Sequence, residues 1–345
     1  MDAIINLNKP EGMTSFQCVS AVRRILGIKK VGHAGTLDPE ASGVLPICVG
    51  RATKLLEFFL LCQKSYRASI LFGVATDTQD VWGQSLEVKD PSFLREERVQ
   101  ACVQCLTGEQ EQTPPAYSAI KVKGIPMYKR ARSGQASEVE LCPRKIFIYQ
   151  MQMSSVGAVT VSEKFQVPVR EAKLDVTCSR GTYVRTLCYD IGRRLDCPAC
   201  MSGLCRTSYG PFLLQDSITL EELEDAARAA AEHKESEIFV NEKIAFYAPE
   251  YILLNFPVIH MTPKQAKRFR NGQETVIFGQ QLSFGADAPL CPKPDPGIAC
   301  LKLGDQLAGV VRFFVGTDSE EQDALVVKPW KYLGGDFWDD YCKKL

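Results

Sequence analysis

The stretch Val31-Gly32-His33-Ala34-Gly35-Thr36-Leu37-Asp38-Pro39, continuing through Glu40-Ala41-Ser42-Gly43-Val44-Leu45, sets a carboxylate and an imidazole in one glycine-rich loop. Glycine opens backbone conformations closed to other residues, and Pro39 biases Asp38 away from helix. The apolar run Val44 to Val49 that follows reads as a short strand. A rigid loop that offers one acid beside a scaffold strand is a common way to build an active site. The loop residues alone leave a second reading open, a structural turn in which Asp38 bonds its own backbone.

Other chemistries are poorly supported. Fourteen cysteines are scattered along 345 residues, and nothing suggests secretion, so reduced thiols in a cytoplasm are expected. Cys102 and Cys105 fall in a helical pattern, where their spacing puts two small apolar residues on one face. Cys197 and Cys200, with Cys205 nearby, imitate a zinc site. His33, His233 and His260 are the only histidines and none is close to that cluster, so no metal is expected. The longest apolar run, Leu55 to Cys62, is interrupted by Glu57 and too short to span a bilayer. The N-terminus shows no basic region or cleavage site for export. Net charge is zero, but its distribution is uneven. Lys121, Lys123, Lys129, Arg130, Arg132, Arg144 and Lys145 crowd residues 117–145, and acids dominate residues 216–242. A neutral total can hide a basic face suited to phosphates, although one charge run taken alone is usually a solvated face.

The elements that must position the loop follow from periodicity and turn chemistry. Ala3 to Asn8 reads as a strand, and Thr14 or Ser15 caps a helix to about Leu26 with Val19, Val22, Ile25 and Leu26 on one face. A helix is expected from about Ala52 to Leu61, and a strand over Ser65 to Phe72. Asp77 and Asp80 sit in a polar segment where both are expected to order a turn. Phe93 to Leu106 is helical, and Gln112 to Ala119 is extended because Pro114-Pro115 excludes helix. A short helix near Tyr128 to Arg132 precedes strands over Lys145 to Met153 and Phe165 to Cys178. Thr182 is expected to cap a helix through Leu195, and Met201 to Thr207 adds a strand. Thr219 and Glu222 form a capping box for a helix over Leu220 to Ala231. From about Ala248 the composition changes to short apolar runs separated by Gly and Pro, the pattern of a small β-rich domain with one basic helix, Pro263 to Arg270.

The chain resembles the TruB-type tRNA pseudouridine synthases. The matching stretches stand in the family's order: Asn8-Lys9-Pro10 with Gly12-Met13-Thr14-Ser15, then Gly32 to Pro39 with Ala41 and Gly43-Val44-Leu45. Lys64-Ser65-Tyr66 follows, then Thr76-Asp77-Thr78 with Asp80 and Gly83, and Gln112 with Pro114-Pro115 and Tyr117-Ser118-Ala119. Gly181-Thr182-Tyr183-Val184-Arg185 and Leu204-Cys205-Arg206 complete the set. Each motif is modest alone; the ordered series over roughly residues 4 to 215 is specific. Residues 253–333 resemble, more weakly, a PUA domain.

The resemblance implies an α+β fold: a mixed, largely antiparallel sheet with flanking helices over residues 1–250, a PUA-like RNA-binding domain over 251–335, and a tail, 336–345. It implies isomerisation of uridine in RNA without a cofactor, most closely at uridine 55 of the tRNA T-arm. Asp38 matches the catalytic aspartate, as nucleophile or as base. Arg185 matches the arginine that pairs with it, expected to be bidentate so as to keep the carboxylate charged and aimed. Tyr66 matches the aromatic packed on the target base, Tyr183 and Leu204 the walls of the base pocket, and His33 the residue that replaces the flipped base in the RNA stack. Without the resemblance, Tyr66, Tyr183 and Leu204 read as core residues, Arg185 as half of a structural ion pair and His33 as a turn residue. Lys9 and Pro10 are expected to brace the pocket. Segment 120–135 corresponds to a thumb whose Lys121, Lys123, Lys129, Arg130 and Arg132 meet phosphates. Lys264 and Lys267 of the basic helix are expected to offer a second contact, to the acceptor end. A non-catalytic RNA-folding role and a guide-RNA-dependent relative are the alternatives. The intact Asp38, Tyr66 and Arg185 weigh against the first as the sole role, while an additional tRNA-folding role is compatible with catalysis, and the start of the chain close to the Lys9-Pro10 motif weighs against the second. No membrane and no obligate protein partner are expected.

Overall fold

The computed structural model describes residues 1–118, 120–122, 124–134, 141–233, 245–278, 282–284, 291, 296–317 and 323–333. The N-terminal part runs β1 (Ala3–Lys9), α1 (Ser15–Leu26), β2 (Val31–His33), β3 (Ser42–Val49), β4 (Lys64–Phe72), β5 (Val74–Thr76), β6 (Ser85–Val88), α2 (Glu96–Gln104), β7 (Gly108–Gln112), β8 (Lys121–Val122), β9 (Ile125–Pro126) and α3 (Met127–Arg132). It continues with β10 (Arg144–Val161), β11 (Pro168–Cys178), α4 (Val184–Arg194), β12 (Ala199–Tyr209), β13 (Phe212–Leu213), α5 (Leu220–His233) and β14 (Phe246–Tyr247).

One large sheet has the order β14-β1-β3-β12-β4-β11-β10-β7, with β2 against β3 and β13 against β12. Its pairings are antiparallel except for one short parallel contact between β3 and β12, where Ser42 faces Cys205 and Gly43 faces Arg206. Gly43 makes that contact possible. Its φ is +100°, and a Cβ there would lie 2.3 Å from the Arg206 carbonyl oxygen. Helices α2 and α4 cover the β4–β11–β12 part through Val99, Val103, Leu187, Cys188 and Ile191. Helices α1 and α5 cover β1 and β3 through Cys18, Val19, Val22 and Leu223. Each of these aliphatic side chains, fully buried, contributes about 1.5–3 kcal/mol of transfer free energy.

The C-terminal part is a second, β-rich domain. It comprises β15 (Pro257–His260), α6 (Pro263–Arg270), β16 (Thr275–Phe278), β17 (Ser283–Phe284), β18 (Ile298–Leu303), β19 (Gln306–Thr317) and β20 (Asp323–Tyr332). Its six strands lie in the order β16-β20-β19-β18-β15-β17 around a core of its own that includes Ile259, Phe269, Leu301, Val311 and Val327. Thr262 and Gln265 form the capping box of α6, with Pro263 in its first turn. This domain also closes a core beneath β1 and β3, where Ile252, Leu253, Phe256, Cys300 and Val310 pack with Phe58, Phe59 and Phe212. Phe58 meets Phe256 and Trp330 edge-on, each at 5.3 Å between ring centroids. The C-terminal domain therefore supports the N-terminal part by apolar packing.

Several local expectations are corrected. The single helix expected from Ala52 to Leu61 is two 3-10 segments, Gly50–Leu55 and Phe58–Leu61. Ala52, Leu55 and Phe58 are all buried, and their spacing of three is the period of a 3-10 helix. Thr182 does not cap α4; Tyr183 holds that position, and the Thr182 hydroxyl donates to the Ser179 carbonyl at 3.0 Å. Cys105 ends α2 and is exposed, so it shares no buried face with Cys102. Strand β10 runs on to Val161, pairing with β7 over Arg144–Ile148 and with β11 from Ile148 onward. The start of the glycine-rich loop is itself a strand, β2. Lys123, the side chain of Arg132, the tail 336–345 and most of the proline-rich stretch 287–297 lie outside the described residues.

Candidate active site

A cleft of about 220 Å³ lies where β3 meets β12, lined by the Gly35–Asp38 turn, Lys64 and Tyr66 of β4, Tyr117 and Ser118, Gly181 to Arg185, and Leu204 and Arg206 of β12. The Asp38 turn is held from three sides. Ser15, at the start of α1, exchanges hydrogen bonds with the backbone of Leu37: the Leu37 N–H donates to its hydroxyl at 2.9 Å, and the hydroxyl donates to the Leu37 carbonyl at 3.2 Å. Lys9 Nζ donates to the carbonyls of Pro10 and Pro39 at 2.7 and 2.9 Å, so Lys9 braces the turn as expected. The Gly12 N–H donates to the Pro39 carbonyl at 2.9 Å.

Arg185, on the first turn of α4, aims its guanidinium at Asp38. Its Nε lies 3.1 Å from Asp38 Oδ2, with the Arg185 side chain 8% exposed and that of Asp38 44%. The contact runs through Nε alone, which corrects the bidentate expectation. The remaining donors are used elsewhere: Nη1 donates to the Thr78 carbonyl at 3.0 Å and to Asp80 at 3.4 Å, and Nη2 to the Tyr117 carbonyl at 2.9 Å. One buried cation thus fixes the Asp38 carboxylate, the Asp77–Asp80 turn and the root of segment 120–135. Asp80 orders its turn as expected, accepting from Thr78 and Trp82, but it is also the second carboxylate on Arg185. Breaking such a buried pair costs about 3–5 kcal/mol. Gln112 grips both backbone groups of Tyr183, accepting from its N–H at 2.8 Å and donating to its carbonyl at 3.1 Å.

The opposite side of the cleft has a different character. Arg206 is 1% exposed and donates to carbonyls, Val44 through Nε at 2.6 Å and Gly35 through Nη2 at 3.3 Å. Its guanidinium lies 4.9 Å from the Tyr209 ring, and the Tyr209 hydroxyl donates to the Ala34 carbonyl at 2.7 Å. Arg206 and Tyr209 therefore pin the glycine-rich loop from below. Burial pushes the Tyr66 hydroxyl up, while Arg206 beside it pulls the other way. Lys64 lies 4.7 Å above the Tyr209 ring, and burial, helped by the Arg206 charge, drops it to about 8. Leu204, facing Ala68 across the β12–β4 pair, supplies an apolar wall.

Asp38, Tyr66, Tyr183, Arg185 and Leu204 thus come together in one cleft. His33 does not line it; it ends β2, and its Nδ1 accepts from the Gly35 N–H at 3.3 Å. Burial and Arg206 lower its proton affinity, so the imidazole is neutral at neutral pH. Lys121 and Lys129 are exposed and Arg130 is half-buried, on a segment rooted at the cleft by the Tyr128 N–H to Ser118 carbonyl bond. Lys264 and Lys267 are exposed on α6. Lys64, Asp80 and Arg206 were given no place in the site by sequence reasoning, although each stands inside a matching motif, which was the available signal. Cys197 and Cys200 are buried thiols pushed up to about 11 and about 12, and the described residues contain no group of three side chains placed to hold a metal. Among the described residues no helix is long and apolar enough to cross a membrane.

Comparison with known proteins decides the family. The model of the TruB family pseudouridylate synthase N-terminal domain matches residues 23–184, and that of the tRNA pseudouridylate synthase B C-terminal domain matches residues 185–249. The tRNA pseudouridine synthase B of Geobacillus thermodenitrificans (strain NG80-2) is 44% identical over 274 residues, 79% of this chain and 85% of that protein. The chain belongs to the TruB family. The protein of the same name from Symbiobacterium thermophilum (strain DSM 24528 / JCM 14929 / IAM 14863 / T) is 48% identical over 223 residues, 65% of this chain and 71% of that protein. A chain in the crystal structure of a Cbf5-Nop10-Gar1 complex superposes with a TM-score of 0.69 at 25% identity, covering 97% of this chain and 86% of its own. As a TruB family member, the protein is a pseudouridine synthase, an isomerase that converts uridine to pseudouridine.

Proposed function

We propose that the enzyme converts uridine 55 of the tRNA T-arm to pseudouridine, in the cytoplasm and without a guide RNA. The observation that carries this reading is Asp38, held by a buried Arg185 at 3.1 Å in a cleft walled by Tyr66, Tyr183 and Leu204. The higher identity to proteins named tRNA pseudouridine synthase B than to the chain from the Cbf5 complex supports a stand-alone enzyme.

The target base leaves the RNA stack at a cost of a few kcal/mol, least at a loop position. His33, neutral and at the end of β2, fills the vacated place in the stack. In the cleft the base packs on Tyr66 between Tyr183 and Leu204. Asp38, aimed by Arg185, attacks C1′ or takes the C2′ proton, and the N1–C1′ bond breaks. The base turns and C5 bonds to C1′ as the Asp38–C1′ bond breaks on the first route, or as the proton taken by Asp38 returns to C2′ on the second; the C5 proton then leaves and N1 gains one. Redox state does not change. Lys121, Lys129 and Arg130 close over the stem-loop, and Lys264 and Lys267 on the PUA-like domain reach the acceptor end.

The test is a tRNA transcript tritiated at C5 of its uridines. Stoichiometric release is expected, and none from a transcript carrying cytidine at position 55. Undiminished release from the cytidine transcript would assign the activity to another uridine.

A further inference from the structure

We propose that Lys64 is a substrate-binding residue that grips a phosphate flanking the flipped nucleotide, on the wall of the cleft opposite Arg185. This rests on the RNA reading above. Charge is balanced on one wall of the cleft and not on the other. Arg185 is matched by Asp38 and Asp80. Across the cleft, Lys64 and Arg206 share a wall, and among the described residues no carboxylate pairs with either. Arg206 donates through Nε and Nη2 to the carbonyls of Val44 and Gly35 and hydrogen-bonds the Tyr66 side chain. Lys64 has the face of Tyr209 at 4.7 Å and makes no side-chain hydrogen bond to another described residue. Three N–H donors on a largely buried ammonium are thus left to whatever enters the cleft.

Two like charges buried side by side without an acid are costly, and an anion arriving between them relieves that cost. The substrate's base is neutral; the anion that RNA brings is its phosphodiester. Position fits the role. Lys64 precedes Tyr66 by two residues on β4, so the two side chains leave the strand on the same face. A base packed on Tyr66 therefore carries its backbone toward Lys64. Exposed Arg180, in the turn after β11, acts electrostatically on Lys64 and continues the positive track toward solvent.

The groups that face Lys64 are Arg206 and Tyr209 from β12, Cys178 and Arg180 from the end of β11 and its turn, and Cys62 just before β4. Cys62 and Cys178 stay neutral thiols around pH 8, pushed up to about 12 and about 11. Lys64 alone in this group changes charge there, so RNA affinity should fall as pH rises through about 8.

The test uses the full chain, the variants Lys64→Met and Lys64→Arg, and stem-loop RNAs carrying one neutral methylphosphonate at each phosphate flanking the target in turn. Lys64→Met is expected to raise KM about tenfold with kcat nearly unchanged, and to remove the loss of affinity above pH 8. Lys64→Arg, charged throughout, should keep most of the affinity and also lose that pH dependence. With the unsubstituted enzyme, one methylphosphonate should weaken binding about tenfold, and on that RNA Lys64→Met should add no further loss. Multiplying losses at every flanking phosphate, or a fall in kcat at unchanged KM, would overturn the assignment while leaving the enzyme's function intact. Failure of the unsubstituted enzyme to act on any unmodified stem-loop or tRNA would overturn the functional reading and this proposal together.

Discussion

The two walls of the cleft hold similar cations in opposite electrostatic circumstances. On one wall Arg185 is compensated twice, by Asp38 and Asp80, and its other contacts tie down two loops. On the other wall Lys64 and Arg206 face each other's charge with no acid among the described residues, and Lys64 is depressed to about 8 as a result of burial and that neighbour. The difference separates two tasks. A compensated cation holds the carboxylate proposed to react in a geometry that is complete before substrate arrives. An uncompensated cation keeps part of its interaction free energy for an anionic substrate, at a cost in stability.

The largest effect should come from breaking the compensated wall. Arg185→Met removes the partner of Asp38, the second link to Asp80 and the anchor of Tyr117 at once. Single-turnover rates should fall by about 10³-fold or more, with a lower melting temperature. Asp80→Asn, which keeps the shape but removes one carboxylate, should cost about 10–100-fold in kcat and little in KM. Equal losses in KM would mean that the network serves binding rather than orientation.

The uncompensated wall should respond in the opposite sense in stability. Because the folded state lowers Lys64 from 10.5 to about 8, the unfolded chain binds more protons between those values. The stability that Lys64 withholds is therefore withheld in full below about pH 8 and regained as pH rises toward 10.5. Lys64→Met should then be more stable than the parent at pH 7, by at most about 3 kcal/mol, and the advantage should shrink at high pH. Denaturant melts at pH 7 and pH 10 check this; a variant less stable at pH 7 would show that Lys64 is compensated after all. The smallest effect is expected at the exposed cations. Lys121→Ala with Lys129→Ala should weaken tRNA binding several-fold and reduce the salt slope by about two, with kcat unchanged.

How much of this was legible in the sequence depends on the kind of contact. The order of motifs placed Asp38, Tyr66, Tyr183, Arg185 and Leu204 in one site, and they line one cleft. Periodicity located the capped helices, since Thr14 with Gln17 and Thr262 with Gln265 are local devices. Arg206 was legible only as a member of the Leu204-Cys205-Arg206 motif; its task was not, because its partners are carbonyls of Val44 and Gly35, distant in the chain and invisible in a list of residue types. The polar segment around Asp80 marks it as a turn former, and its turn bonds are real, but its second task depends on α4 folding back over the turn. The one-contact geometry of Arg185 with Asp38 could not be foreseen either, since Thr78, Tyr117 and Asp80 compete for the same guanidinium.

The central claim is that Asp38 performs the chemistry while the rest of the cleft binds and orients the nucleotide. Single-turnover tritium release from a C5-labelled tRNA transcript tests it, comparing the unsubstituted enzyme with Asp38→Asn. Complete release by the first and none by the second is expected, with tRNA affinity of the variant within a few-fold of the parent. Release persisting in Asp38→Asn would contradict the account.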